Sequence, residues 1–549
     1  MRHFYFIFLF LFSLPSYSQV KINITVNPVA KLVTIPPDFA GLSFEKNCLK
    51  KGYFNPHCDT LIRLFQTCGI KSLRIGGNSV DTNTLSTDTA GMHYTRAELD
   101  SLFLFAQQAG CKILMGLNLK DSSASLADTE ASYVMQYQNS GLFGFEMGNE
   151  PDRYRKSTYS YHDYIQDYMT YYNTIKPSNP AAVFTGPGCA SNFEYFTLPF
   201  CREMAALPSR PLSMLTQHYY GGLRDEFGIS EQIDSLMSKY KLFHVSEEVK
   251  RLVRCADSSG IKFRMSECNT IDKGGQKDVS NSFASALWAL NFMYELAYDT
   301  CAGVNIHGGL GGAYTVFSRD SNIYRARPIA YGILAFQIGS KGRFISSSAT
   351  NYTINLHSYS VIDSSKNIYT TIINKDKLND AEITLTVTDT VNSNYFSAEY
   401  VKLSSPLSLK DTTGVTLGGQ VMGSLGTIPA YIWTSSAVNS HQTTIPVKAH
   451  SAVVIKFNYK YGTSVNNNTE KNKHILNLFP NPASEKVTII TDVTGRSVIS
   501  IYNLQGQLLM QKQVQQGKTD IDISELAKGV YILKLSSNAR AEVGRIIKE

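Results

Sequence analysis

Between Ala40 and Ser340 the chain repeats one pattern: a short apolar run, a turn, then a stretch with helical periodicity. The runs of strand length are Ala40–Glu45, Ser72–Gly76, Lys112–Leu117, Phe143–Gly148, Ala182–Gly186, Ser213–His218, Lys262–Glu267 and Ala302–His307. The intervening helices carry their own signals. Thr95-Arg96-Ala97-Glu98 is a capping box, followed by Leu99, Leu102, Phe103 and Phe105 and stopped by Gly110. Val249, Leu252 and Val253 form an apolar face before the seventh run. Phe283, Leu287, Leu290, Met293, Tyr294 and Ala297 do so before the eighth. Eight β-then-α units predict an α/β fold, a (β/α)8 TIM barrel over residues 39–340. A doubly wound open sheet competes. The count of eight and the polar residues at the C-terminal ends of the runs favour the barrel.

A chain of 549 residues exceeds one core, and the flanks read as further domains. Residues 19–38 alternate as a strand (Val20, Ile22, Ile24, Val26) and are expected to join a β-sandwich completed later. Pro328 to Phe336 reads as a last helix. Residues 341–460 supply that sandwich, with runs at Tyr352–Leu356, Ile368–Ile373, Ile383–Val387, Ala398–Lys402, Tyr431–Trp433 and Ala452–Phe457. Residues 461–473 read as a linker, and 474–549 as a small all-β, Ig-like module.

Residues 1–18 have the form of a secretory signal peptide. Arg2 and His3 precede the apolar run Phe4 to Leu14, and Ser16 and Ser18 flank Tyr17 before a cut at Gln19. No later run reaches the length of a membrane span, so an exported protein without a transmembrane segment is expected. The net charge of +7 is dispersed, with no Lys/Arg block to track phosphates, which argues against nucleic acid as a partner. All nine cysteines lie between Cys48 and Cys301 without a CxxC pair, so structural zinc is not expected. Cys48/Cys58 and Cys189/Cys201 are close enough to close loops as disulfides in an oxidising compartment.

The chemistry gathers at the strand ends. Glu45, Asn78, Asn118, Asn149, Glu150, His218, Tyr219, Tyr220, Glu267, Asn269 and His307 all follow or end a predicted strand, and a barrel brings such positions together at its C-terminal mouth. Gly148-Asn149-Glu150-Pro151 ends the fourth strand and Ser266-Glu267 the seventh. Strand-end Glu residues are ordinarily solvated or ion-paired. Two of them on strands facing each other across a barrel mouth fit glycosidic hydrolysis, which needs one protonated and one ionised carboxyl group about 5–5.5 Å apart when configuration is retained. An ionised Glu267 would keep Glu150 protonated by like-charge repulsion, giving Glu150 the acid/base role and Glu267 the nucleophile's. Asn149 is placed to bond a sugar 2-hydroxyl, and Tyr219 or Tyr220 to donate to Glu267. His218 and His307 lack the spacing of metal ligands and read as wall residues; no metal or cofactor is called for. Gly308-Gly309-Leu310-Gly311-Gly312 lacks the context of a nucleotide loop and reads as backbone lining a sugar site.

Phe39-Ala40-Gly41-Leu42-Ser43-Phe44-Glu45, Leu73-Arg74-Ile75-Gly76-Gly77-Asn78-Ser79-Val80-Asp81, Gly148-Asn149-Glu150-Pro151-Asp152, Gln217-His218-Tyr219-Tyr220, Ser266-Glu267-Cys268-Asn269 and Val304-Asn305-Ile306-His307-Gly308-Gly309 resemble glycoside hydrolase family 79, a clan A group of β-glucuronidases and heparanase-like enzymes. The resemblance runs from about residue 36 to 460. It implies a carbohydrate substrate, Glu150 as acid/base, Glu267 as nucleophile, and N-terminal strands packed into the sandwich. The family commonly carries a Tyr before a Gly-Gly pair in the loop after the nucleophile, where it helps hold a uronate carboxylate. Here Asp272 stands in that slot before Lys273, Gly274 and Gly275, which points towards a neutral sugar, and Tyr314 is the substitute for a uronate site. A non-catalytic carbohydrate binder and a metal-dependent hydrolase are the competing classes. Leu478-Phe479-Pro480-Asn481-Pro482-Ala483, Ile501-Tyr502-Asn503-Leu504-Gln505-Gly506 and Gly529-Val530-Tyr531-Ile532-Leu533 resemble the type IX secretion sorting domain. That implies the type IX machinery as a partner and a secreted or cell-surface location.

Overall fold

In the computed structural model the described residues are 19–86, 93–154, 158–321, 323–350, 352–388, 395–460, 477–491, 497–537 and 541–549. The expected signal peptide, 1–18, and linker, 461–473, lie outside them. The chain divides into a unit ending at Tyr461 and a unit beginning at Gly462.

The first described strand, β1 (Val20–Thr34), is followed by the strands of a closed barrel: β2 (Ala40–Glu45), β3 (Ser72–Gly76), β4 (Lys112–Leu117), β5 (Leu142–Met147), β6 (Phe184–Cys189), β7 (Met214–Tyr220), β8 (Lys262–Asn269) and β9 (Val304–Gly308). All neighbours are parallel, and β9 closes on β2 in register Leu42↔Ile306. The α/β TIM-barrel fold class therefore stands. Buried on both faces, these strands read as continuous apolar runs rather than alternating ones; β3 is buried at every position. The helices outside are α1 (Asp59–Thr67), α2 (Arg96–Ala109), α3 (Ala124–Val134), α4 (Tyr161–Ser178), α5 (Leu198–Ala206), α6 (Ile229–Met237), α7 (Lys239–Ser258), α8 (Phe283–Tyr298) and α9 (Pro328–Gly339). The Thr95–Glu98 capping box opens α2, and left-handed Gly110 ends it.

Helices α8 and α9 are apolar all round because each is covered twice, by the barrel and by a β-sheet. A Cβ on Gly332 of α9 would lie 2.2 Å from the Ala286 carbonyl oxygen of α8, so the two backbones meet there. Tyr294 of α8 stacks on Tyr359 at 4.9 Å and bonds Thr371 at 2.8 Å, both in the sheet.

That sheet has ten strands, curled over a core that includes Ile22, Ile24, Val26, Ile383, Leu385, Ile455 and Phe457. It contains β1. This strand pairs antiparallel with residues Arg343–Ala349 and parallel with Ala381–Val387. Its Ile22, Ile24 and Val26 face inward while Lys21 and Asn23 face solvent. Two expected strands move. Tyr352 to Asn355 is irregular, and the strand begins at Leu356; Tyr431–Trp433 precedes the strand Thr434–Ser436. Apolar composition marked the burial of these segments but not their pairing. Gln442–Val447 is a strand that composition hid, because Gln442, Thr444 and Pro446 all point outward.

The unit after Tyr461 has a three-stranded and a four-stranded antiparallel sheet around Val487, Ile489, Ile499, Ile501, Ile521, Leu533 and Ile546. The nine cysteines are all thiols, which corrects the expected Cys48/Cys58 and Cys189/Cys201 bridges. All but Cys58 are buried and take the place of small hydrophobes. Cys201 faces Ser259 across the helical layer, not Cys189. Among the described residues no helix is long and apolar enough to cross a membrane.

Candidate active site

The C-terminal mouth of the barrel holds an open cavity of about 320 Å³. Its wall includes Glu45, Asn78, Glu150, His218, Tyr219, Tyr220, Glu267, Asp272, His307 and Tyr314 from the sequence-based set, together with Arg153, Glu248 and Lys273. Glu150 lies just past β5 with φ of 51°, in the left-handed region that a non-glycine residue enters only when its surroundings hold it there. The surroundings are visible. The Glu150 N–H donates to the Gly188 carbonyl at 3.0 Å, and the Glu150 carbonyl accepts from Arg153 N–H at 2.8 Å. Pro151 opens the short 3-10 turn that follows. The Glu150 carboxylate meets His218 Nδ1 at 3.2 Å and an Arg153 guanidinium nitrogen at 3.6 Å.

Glu267, near the end of β8, is almost fully enclosed. Tyr220 Oη donates to its Oε1 at 2.7 Å, and Arg74 donates to its Oε2 at 2.6 Å. His307 Nδ1 stands 3.5 Å from Oε2. Burial alone would favour the neutral acid. The charges of His307, His218 and Arg74 and the Tyr220 hydrogen bond outweigh it and hold the carboxyl well below the usual range. His307 is affected in reverse: burial lowers it, but Glu267 and Glu45 raise it above its ordinary value. Oxygens of Glu150 and Glu267 and a ring nitrogen of His218 lie within 4.8 Å of one another. Such a trio has the donor chemistry to hold a cation, yet the fixed guanidinium of Arg74 already supplies positive charge to Glu267.

Arg74 is the residue without an expected role. It sits in the middle of β3, fully buried, and its fork joins four groups: Glu146, Glu267, Ser43 at 3.1 Å and the Asn149 side-chain oxygen at 2.9 Å. Gly76 makes room for it, since a Cβ there would lie 2.5 Å from the guanidinium carbon. The signal was present: Arg74 within Ser72-Leu73-Arg74-Ile75 and Glu146 within Phe145-Glu146-Met147 are charges inside apolar strands, and buried charges require partners. Arg74 and Glu146 are those partners.

Asn149 is fixed rather than free. Its oxygen accepts from Arg74, its Nδ2 donates to Asn78 Oδ1 at 3.3 Å, and its backbone N–H donates to Tyr154 Oη at 2.9 Å. Tyr154 in turn donates to Asp81, whose carboxyl burial pushes up to about 7. Asn269 is placed elsewhere: its Nδ2 donates to the carbonyls of His307 at 2.5 Å and Tyr314 at 2.9 Å, tying β8 to the loop after β9 rather than lining the cavity. Asn118 is likewise buried, capping its own loop at Asp121 N–H. Asp272 Oδ1 accepts from the Arg224 N–H at 2.7 Å, while exposed Lys273 lines the cavity. Gly308 to Gly312 edge an adjoining groove that shares Glu45, Asn78, His307 and Tyr314 with the main cavity.

Residues 477–549 match the family model of the secretion system C-terminal sorting domain. The chain is 24% identical over 314 residues to a β-glucuronidase of Aspergillus niger, covering 50% of this chain and 56% of that protein. It is also 24% identical over 210 residues to heparanase of Mus musculus, covering 36% and 38%. Among solved structures it superposes on a 4-O-α-L-rhamnosyl-β-D-glucuronidase of Fusarium oxysporum with a TM-score of 0.63, at 15% identity, covering 79% of this chain and all (100%) of that one. A family 51 α-L-arabinofuranosidase of Bifidobacterium longum gives a TM-score of 0.61 at 14% identity, covering 79% and 99%. The chain has a family 79-like fold with a type IX sorting tail. This family 79-like chain spans about half the length of the β-glucuronidase it matches, and less of the heparanase.

Proposed function

We propose that the chain is a retaining β-glycosidase acting by double displacement. The observation that carries this is the pair Glu150 and Glu267, whose nearest oxygens lie within 4.8 Å at the ends of strands facing across the barrel mouth. That spacing leaves no room for a water between carboxylate and sugar, as inversion would need, and suits direct attack. Glu267, held ionised, attacks the anomeric carbon. Glu150 gives its proton to the departing glycosidic oxygen, and a glycosyl ester forms on Glu267. Glu150 then takes a proton from water, which attacks the same carbon, breaks the ester and restores both groups. Arg74 and Tyr220 orient Glu267, and Asn149, buried beside Glu150 with its amide engaged by Arg74 and Asn78, is the proposed partner of a sugar 2-hydroxyl through its remaining amide proton.

The substrate is proposed to be a β-glucuronoside. The β-glucuronidase and rhamnosyl-glucuronidase relatives support this, and so does the local charge. The Asp272 carboxylate is engaged by the Arg224 backbone, and Lys273 supplies a cation at the rim. A neutral sugar is the second reading, favoured by Glu248 and Asp272 on the same wall.

Aryl β-glycosides test both levels. The expected outcome is turnover of the β-glucuronide, first release of the β-anomer by proton NMR, loss of turnover in Glu267→Ala with retained binding, and no effect of chelator. Turnover of neutral glycosides alone would overturn the substrate but keep the mechanism. An unimpaired Glu267→Ala would overturn the nucleophile. Loss of activity in chelator, restored by a divalent ion, would favour the metal-dependent class. The sorting tail supports export through the type IX system, with the tail removed on delivery.

A further inference from the structure

Glu150 can deliver a proton only from where its backbone holds it, and that backbone is in the left-handed region. Hydrogen bonds bracket it. The Glu150 N–H donates to the Gly188 carbonyl at 3.0 Å, the Glu150 carbonyl accepts from the Arg153 N–H at 2.8 Å, and the Asn149 N–H, one residue before, donates to Tyr154 Oη at 2.9 Å. The first two join main chain to main chain. The third depends on a single side chain.

A short turn brings that side chain round. Pro151–Arg153 is a 3-10 turn, the Tyr154 N–H closes it on the Pro151 carbonyl at 3.1 Å, and the Tyr154 hydroxyl reaches back to the amide that precedes the acid. Gly148 gives it room. A Cβ there would lie 2.7 Å from Tyr154 Oη, and its φ of 80° is one that glycine takes readily. Tyr154 is buried, and Tyr159 packs on its ring at 5.3 Å.

A phenol has one proton. For its oxygen to accept from Asn149, that proton must go elsewhere, and Asp81 takes it. Asp81 is buried in the 3-10 turn Asn78–Thr82 after β3, where its Oδ1 accepts from Tyr154 Oη. Lys120, past the end of β4, has its ammonium 5.6 Å from the centre of the Tyr154 ring. The charges of Lys120 and Glu150 both act on Asp81. The loops after β3, β4 and β5 thus meet around one hydroxyl. Neither Tyr154 nor Asp81 is in the cavity wall.

We propose, on the reading of Glu150 as acid/base, that Tyr154 and Asp81 are positioning residues for it. Asp81 fixes the Tyr154 hydroxyl, the hydroxyl fixes the Gly148–Asn149 peptide that leads into Glu150, and the Glu150 carboxyl is thereby aimed at the glycosidic oxygen. A purely structural pair would hold the loops together without favouring one step. The two roles differ in their dependence on the leaving group. A dinitrophenolate departs without a proton, whereas an alkoxide needs one from the acid.

The test is kcat/KM on a dinitrophenyl and a methyl glycoside of the sugar that wild type turns over, in wild type, Glu150→Gln, Tyr154→Phe, Asp81→Ala and Asp81→Asn. Tyr154→Phe is expected to lose about 100-fold on the methyl glycoside, as for a catalytic group misplaced by about 1 Å, and less than about 5-fold on the dinitrophenyl glycoside. Asp81→Ala is expected to show the same selectivity. Asp81→Asn, whose amide oxygen accepts the same proton, is expected to restore most of the loss. Both substrates are read on one preparation, so a poorly folded variant lowers both alike and leaves their ratio unmoved. An unchanged ratio in Tyr154→Phe, beside a raised one in Glu150→Gln, overturns the proposal and leaves the mechanism standing. An unchanged ratio in Glu150→Gln removes the acid itself, and the positioning role with it.

Discussion

Tyr220 and Arg74 are fixed against one carboxylate, Glu267, and each has a separable effect. Tyr220→Phe removes the hydroxyl that donates to Glu267 Oε1 but keeps the ring that stacks near Tyr314. The expected fall in kcat is about 10- to 100-fold, the worth of a hydrogen bond to a charged group. The pH profile gives the sign. In the proposed mechanism turnover requires ionised Glu267, and Tyr220 is one of the groups that lower its pKa, so the acid limb of kcat/KM is expected to move to higher pH in Tyr220→Phe. An unmoved limb would leave Tyr220 a packing residue. Arg74→Met is a harsher change: it leaves Glu146 and Glu267 buried without their guanidinium, and a loss of about 3–5 kcal/mol in urea unfolding is expected. Arg74→Lys keeps the charge but not the fork and should recover only part of that loss. The two carboxylates at the mouth were legible from the sequence because their strands end in turn residues. Arg74 was harder to read, since a single charge within an apolar run says that a partner exists but not which one. Asn269 was misleading for the opposite reason: a polar residue close to Glu267 in sequence turned out to serve the backbone of the neighbouring strand and loop.

At the scale of elements, periodicity reported what it can report. Barrel strands and amphipathic helices have enough apolar positions to show their period, and β3 and β4 fall where their composition put them. The curled sheet was read less well because its strands take their identity from partners far away. Gln442–Val447 looks like a polar loop until Ala381–Val387 lies beside it in register Ile383↔Ile445. The helix pair α8 and α9 gives an element-scale test. Any side chain at Gly332 must push the Ala286 backbone aside, so Gly332→Ala is expected to cost about 1–3 kcal/mol despite its higher helix propensity. Circular dichroism melts of wild type and variant measure it. A variant as stable as wild type would mean that α9 shifts freely on α8.

Over the whole molecule, the unit ending at Tyr461 has the barrel core and the sheet core to itself. A chain stopped at Tyr461 is therefore expected to melt in the same transition as the full chain's larger unit and to keep its kcat, and a loss of either would tie the tail to more than delivery. The position of β1 has a further consequence, which concerns time. This strand leaves the ribosome before the barrel does, yet its partners at residues 343–349 and 381–387 are more than 300 residues behind it. At about 5–20 residues per second, that separation is roughly 15 to 60 s of synthesis. For that interval Ile22, Ile24 and Val26 have no sheet to enter, while the whole barrel can be made. The sheet thus closes after the barrel, around a strand that was made before it, and a cell making this protein must keep one apolar strand out of trouble until the rest of its sheet arrives.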